Sequence, residues 1–177
     1  MTESGRKGFG MGASMDGVRP AAESDIPVLC ELYLEFHEFH AERISGRLLS
    51  LRPTWSAERI GLKERLREIL AGSGTDILVS QADGEVSGFA EICLREEEGT
   101  NARPAERYCH LQSMFVREDL RRSGIGRSLL AASESWARTK GAKEMRLDVW
   151  VFEEGPDGFY EKHGYRAYRR SYVRSLR

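Results

Sequence analysis

The chain has 177 residues, 40% hydrophobic and 31% charged, a size and balance that suit one soluble domain with a buried core. Its 27 basic and 28 acidic residues leave a net charge of −1, which excludes the broad basic surface that general nucleic-acid binding needs. No apolar run reaches the length of a membrane span and no apolar stretch follows Arg6 and Lys7, so neither a membrane partner nor a signal peptide is expected. The three cysteines, Cys30, Cys93 and Cys109, lack zinc spacing and read as reduced core residues of a cytoplasmic protein.

Residues 1–17, "MTESGRKGFGMGASMDG", are too poor in apolar side chains to offset the entropy of ordering and read as a flexible tail. Gly8, Gly10 and Gly12 have neither a strand before them nor a helix after them, so they belong to a linker. Residues 18–177 form the domain. "VRPAAESDIP" predicts a short strand and a turn, then a helix with Asp25 as N-cap and Pro27 in its first turn. Ile26, Leu29, Cys30, Tyr33, Leu34 and His37 fall on one face of that helix. A second helix follows Pro53, with Leu62, Leu66, Ile69 and Leu70 on one side, and stops at Ala71–Gly74.

"DILVSQADGEVSGFAEICL" reads as two strands joined by Asp83-Gly84, and the charged stretch from Arg95 to Glu106 as a loop. "RYCHLQSMFV" is the next strand. Ile125, Leu129, Ala132 and Trp136 then mark a helix closed by Gly141. "EMRLDVWVF" is a strand, "GPDGFYEKHG" a short helix and "YRAYRRSYV" a final strand. The order β-α-α-β-β-β-α-β-α-β predicts an α/β (α+β) domain, with a mixed, mostly antiparallel sheet flanked by helices on both faces.

"LRRSGIGRSLL" places a basic, glycine-containing loop directly before a helix. The first N–H groups of a helix lack internal partners and the macrodipole adds partial positive charge, so the pattern suits a phosphate or diphosphate. Gly124 and Gly126 would let it approach the backbone closely. A P-loop is excluded because no Lys follows these glycines, and Leu129 breaks a dinucleotide fingerprint. A glycine-rich turn without a ligand remains the other reading.

"MFVREDLRRSGIGRSLL" resembles the signature of the GNAT acetyltransferase superfamily, an apolar strand followed by [QR]xxGxG and a helix. "GFYEKHGY" resembles that family's later FYxKxGF element, in the family's order and separation. The resemblance covers the chain beyond the tail. It implies acetyl-CoA or another acyl-CoA as co-substrate, its diphosphate on Arg121, Arg122, Ser123, Gly124, Ile125, Gly126, Arg127 and Ser128. Its pantetheine arm would run beside Met114, Phe115 and Val116, where the family's strand splays from the next.

The resemblance also implies Tyr160 as the general acid that protonates the departing thiolate, with a backbone N–H near Met114 or Phe115 for the oxyanion. Polyamine-acetyltransferase-like members carry a carboxylate base where this chain has Gln112. Glu91, within an apolar run, or a chain of water molecules is the base expected instead. Where the family often has an Asn against the cofactor arm, this chain has Glu153 or Glu154, which can accept hydrogen bonds but not donate them.

His37 and His40 end the first helix, where the family's acceptor pocket is often covered. They are candidates for lining it, and without a third ligand no metal site is expected. The acidic run Arg95–Glu98 could draw in a cationic acceptor, or be a solvated loop. The expected activity is direct transfer of an acetyl group to a small-molecule or protein amine in a ternary complex, with no covalent nucleophile. A homodimer is possible in this family. A non-catalytic acyl-CoA-binding or regulatory module is the alternative that Gln112 and the absent Asn leave open.

Overall fold

The computed structural model describes residues 17–44, 46–82 and 84–176; the tail reading, with Gly8, Gly10 and Gly12, falls on residues 1–16, outside them. Five strands form one sheet in sequence order: β1 (Val18–Pro20), β2 (Thr75–Ala82), β3 (Glu85–Glu97), β4 (Glu106–Val116) and β5 (Glu144–Leu147). The first four are antiparallel to their neighbours, and β5 runs parallel to β4. Gly17 already joins this order, since its carbonyl accepts from the Gln81 N–H at 2.8 Å.

Helices α1 (Ile26–Arg43) and α2 (Trp55–Ala71) cover one face of the sheet, and α3 (Ile125–Thr139) covers the other. The side chains alternate accordingly. Val79, Phe89 and Phe115 pack beneath α1 and α2 with Leu29, Cys30 and Leu66. Leu78, Ala90 and Leu111 pack against Leu129, Leu130 and Trp136 of α3. β3 is buried on both faces from Val86 to Cys93, which explains its near-continuous apolar run. At Gly88 any Cβ would lie 2.6 Å from the Phe115 carbonyl oxygen, so only glycine lets β4 come this close. The expected C-cap of α3 forms a Schellman motif: Gly141, at φ +74°, donates to Arg138, and Ala142 donates to Ala137.

Four expectations need correction. Asp25 precedes α1 but does not cap it with its side chain. Both its oxygens are taken by Arg19 at 2.7 and 2.9 Å and one also by the Ala22 N–H, so the carboxylate faces back toward β1. The Arg95–Glu106 segment is not all loop, because β3 and β4 continue to a Glu97–Glu106 pair. The strand expected over 144–152 stops at Leu147.

The final strand, expected over 165–173, is not formed among the described residues. Its alternation gives neither side a continuous apolar row, and Tyr168, Tyr172 and Val173 stay exposed, so no burial offsets the ordering of that backbone. Tyr165 is held instead, its hydroxyl donating to Glu134 at 3.1 Å. The short helix α4 (Asp157–Lys162) forms as expected and ends before Gly164 at φ +88°.

Candidate functional site

β4 organises the site. Its pairing with β5 covers only Tyr108–Leu111 against Glu144–Leu147, whereas its pairing with β3 continues to Val116. From Gln112 to Val116 one edge of β4 therefore faces no strand among the described residues, and the sheet opens between β4 and β5. A bulge falls at the start of this stretch: Glu91 pairs with Ser113 and Ile92 with Leu111, leaving Gln112 as the extra residue. Met114 packs toward α3, and Phe115 packs toward α1, 6.1 Å from the Phe36 ring.

Beyond Val116 the chain makes a tight turn over Glu118–Leu120 and enters α3 through two left-handed residues, Arg122 at φ +65° and Gly124 at φ +96°. Ser128 makes the first helical bond, to the Gly124 carbonyl at 3.0 Å. The N–H groups of Gly124, Ile125, Gly126 and Arg127 are left without an acceptor among the described residues, and no side chain caps them. Among the described residues, nothing lies within 4 Å of where a Cβ at Gly124 would stand. Four free donors at a positive helix end, under open space, fit an anion such as the diphosphate of an acyl-CoA.

The two arginines before Ser123 differ. Arg122 is exposed, as is Arg127. Arg121 turns inward, donating Nε–H to the Val116 carbonyl at 3.1 Å with its guanidinium 4.6 Å from the Phe39 ring. It fastens the loop to the sheet. Ser123 also closes the turn, its hydroxyl donating to the Leu120 carbonyl at 2.6 Å.

On the α1–α2 face lies a cleft of about 390 Å³. β3 and β4 give its floor, with Glu91, Gln112 and Ser113. Tyr33, Phe36 and His37 line it from α1, and Leu51 from the α1–α2 connection. Trp55, Glu58, Gly61, Leu62 and Arg65 line it from α2, one stripe at helical spacing.

Glu91 is 3% exposed and both its oxygens are engaged: Tyr33 donates at 2.5 Å and Arg65 forms an ion pair. Burial, then the Glu91 charge, pushes the Tyr33 phenol well above its ordinary value. Burial is the largest single influence on Arg65 and would lower its pKa, but the hydrogen bonds and charges of Glu91 and Tyr33 together outweigh this and raise it.

The connection over this cleft is strapped to α1. Glu38, 5% exposed, accepts from the Ser50 hydroxyl and the Leu51 N–H, each at 2.8 Å, and lies 3.5 Å from the Arg52 guanidinium. Burial would raise this carboxyl, but the hydrogen bonds win and hold it below its ordinary value. His37 adds a contact, its Nε2 2.7 Å from the Leu49 carbonyl oxygen. His40 lies apart from the cleft lining, with Nδ1 2.8 Å from the Phe36 carbonyl oxygen and its ring against Phe36, Phe39 and Phe152. Burial lowers its imidazole pKa.

Tyr160 packs on the other face, with Phe159, Tyr165 and the α3 cluster. Its hydroxyl makes no hydrogen bond among the described residues, and burial pushes the phenol up to about 12. Glu153 and Glu154 are exposed, and Glu154 is at φ +58°.

Tyr33, Arg65, Trp55 and Glu38 escaped the sequence reading. A signal for Arg65 existed: a carboxylate in an apolar strand needs a cation, and Arg65 stands between Leu62 and Leu66 on the inward side of α2. Among the described residues, no group of three His, Cys, Asp or Glu side chains is placed to hold a metal, and no helix is long and apolar enough to cross a membrane.

Similarity to known proteins agrees with this architecture. The chain is 36% identical over 107 residues to aminoglycoside N(6')-acetyltransferase type 1 of Stenotrophomonas maltophilia, covering 55% of this chain and 68% of that one. It is 36% identical over 101 residues to the chloroplastic GCN5-related N-acetyltransferase 5 of Arabidopsis thaliana, covering 51% of this chain and 31% of that one.

A tetramutant of a Bacillus halodurans protein shares the fold at a TM-score of 0.80 and 22% identity, over 90% of this chain and 99% of its own. A GNAT family acetyltransferase of Staphylococcus aureus shares it at 0.59 and 18%, over 90% and 97%. Residues 31–165, which contain the α3 loop, the cleft and Tyr160, match the Acetyltransferase (GNAT) family. The chain belongs to that family and is an acyltransferase.

Proposed function

We propose that the chain moves an acetyl group from acetyl-CoA to a primary amine by direct transfer, with the amine in the α1–α2 cleft. The observation that carries this reading is the half-paired strand β4. Its free edge begins at Gln112 and Ser113 in the cleft and ends beside the four unpaired N–H groups of α3. The kinship with aminoglycoside and GCN5-related N-acetyltransferases supports an amine acceptor.

When bound, acetyl-CoA supplies the acetyl thioester. The N–H groups from Gly124 to Arg127 hold its diphosphate, each hydrogen bond to a charged oxygen contributing about 1.5–3 kcal/mol, with Arg122 and Arg127 adding charge. The free edge of β4 pairs with the amides of the pantetheine arm and offers an N–H near Met114 or Phe115 to the developing oxyanion. The amine nitrogen bonds to the acetyl carbon as the carbon–sulfur bond breaks, one proton leaves nitrogen and one reaches sulfur.

Tyr160 is assigned the second proton. A phenol near 12 giving its proton to a thiolate near 8.5 is uphill by roughly 5 kcal/mol, affordable beside a typical barrier. The base is Glu91 or water. Since Arg65 and Tyr33 occupy both Glu91 oxygens, a water chain over Gln112 and Ser113 fits the removal of the first proton better. The test is thiol release from acetyl-CoA across a panel of amines, with Tyr160→Phe alongside. Release that needs an amine and falls in the variant supports the reading; acetyl-CoA binding without release for any amine contradicts it.

A further inference from the structure

The cleft has a chemical bias of its own. Phe36, Leu51, Trp55 and Leu62 give it apolar walls on both sides. Its charged groups are two carboxylates and one guanidinium, and Arg65 already neutralises Glu91. Only Glu58 remains, with no ion pair among the described residues. An acceptor with several ammonium groups would find one free carboxylate and meet the fixed charge of Arg65. An acceptor with its own carboxylate would have to displace Glu91 from Arg65.

The cavity, about 390 Å³, lies at the small end of the roughly 300–1,000 Å³ usual for ligand pockets. Gly61 keeps it open: a Cβ there would meet nothing within 4 Å among the described residues, although glycine is a weaker helix former than alanine.

We propose that the acceptor is a primary monoamine with an apolar, ring-sized body, held between Phe36, Leu51, Trp55 and Leu62 with its nitrogen over Ser113 and Gln112. The proposal rests on the reading of this cleft as the acceptor site, and narrows it away from the polycationic substrates that the names of the aminoglycoside relatives imply. The amine nitrogen takes the acetyl group from the thioester sulfur, giving an amide and free thiol; no further reactant is needed.

The test compares kcat/KM for 2-phenylethylamine, L-phenylalanine, spermidine, kanamycin and a lysine peptide, with acetyl-CoA binding measured by calorimetry. The expected result is a preference for 2-phenylethylamine of about tenfold or more over each of the others, the scale set by desolvating one ring. Gly61→Leu, which meets no neighbour at its Cβ, is expected to leave the fold and acetyl-CoA affinity intact and to lower kcat/KM for 2-phenylethylamine by about tenfold or more.

Equal or better turnover of kanamycin, spermidine, L-phenylalanine or the peptide would overturn the proposal. So would acetyl-CoA binding with no transfer to 2-phenylethylamine, or Gly61→Leu having no effect on it. Failure to bind acetyl-CoA would instead remove the underlying reading, and the proposal with it.

Discussion

Glu91 is accommodated inside the sheet because Arg65 reaches it from α2 and Tyr33 from α1. Arg65→Ala would strand a buried charge. A fully buried pair loses about 3–5 kcal/mol when one partner is removed; since Arg65 is half-exposed, a loss of about 2 kcal/mol is expected in urea unfolding. Glu91 itself was legible in the sequence, because a carboxylate in "GFAEICL" has to be explained. Its partners were not, since Arg65 lies 26 and Tyr33 58 residues away and only the packing of two helices on one sheet brings them together.

Tyr160 makes a different prediction. With its phenol near 12, the acid form persists as pH rises, so kcat should show no loss from this group up to about pH 10. Tyr160→Phe should lower kcat about 100-fold or more, with acetyl-CoA affinity nearly unchanged in calorimetry. A basic limb near pH 8 that vanishes in the variant would contradict the assignment.

Among the elements, the start of α3 separates conformation from binding. Gly124→Ala forces a left-handed residue and should cost about 1–2 kcal/mol in stability as well as affinity. Gly126 has an ordinary backbone, and a Cβ there would stand 3.6 Å from the Phe159 ring. Gly126→Ala should therefore keep or raise Tm with little change in acetyl-CoA affinity, whereas Arg127→Glu, at an exposed first-turn position, should keep Tm and weaken acetyl-CoA by about tenfold. The loop motif was legible in the sequence because its chemistry is local.

The strap over the cleft was opaque in sequence, since Glu38 meets residues 50–52 only when the connection folds back. Glu38→Ala should raise KM for the amine about tenfold and leave kcat and acetyl-CoA affinity close to wild type, as expected for lost positioning of Leu51 and Trp55. The Glu38 carboxyl is held below its ordinary value of 4.5, so its contribution to stability is present above that pH and is lost as pH falls through its folded value. Glu38→Gln should flatten that part of the stability–pH curve.

The whole molecule is a sheet with two differently used faces. α3 builds one side and presents its uncapped N-terminal N–H groups; α1 and α2 build the other and leave a cleft between them. This layering followed from the order of elements and their periodicities. The opening between β4 and β5 did not, because where pairing stops depends on the bulge at Gln112 and on the early end of β5. The last segment misled for a related reason: "YRAYRRSYV" has strand-forming residues but no apolar face to bury. Ser at Tyr172 and Val173 should change stability by no more than about 0.5 kcal/mol.

On the proposed function, one strand joins a coenzyme site at the start of α3 to an amine site between α1 and α2. The deciding measurement is amine-dependent thiol release from acetyl-CoA in wild type, Arg127→Glu and Gly61→Leu, with the acetylated product identified by mass spectrometry. Arg127→Glu should raise KM for acetyl-CoA alone, and Gly61→Leu should raise KM for the amine alone. Loss of acetyl-CoA affinity in Gly61→Leu, or unchanged acetyl-CoA affinity in Arg127→Glu, would contradict this division of the two sites.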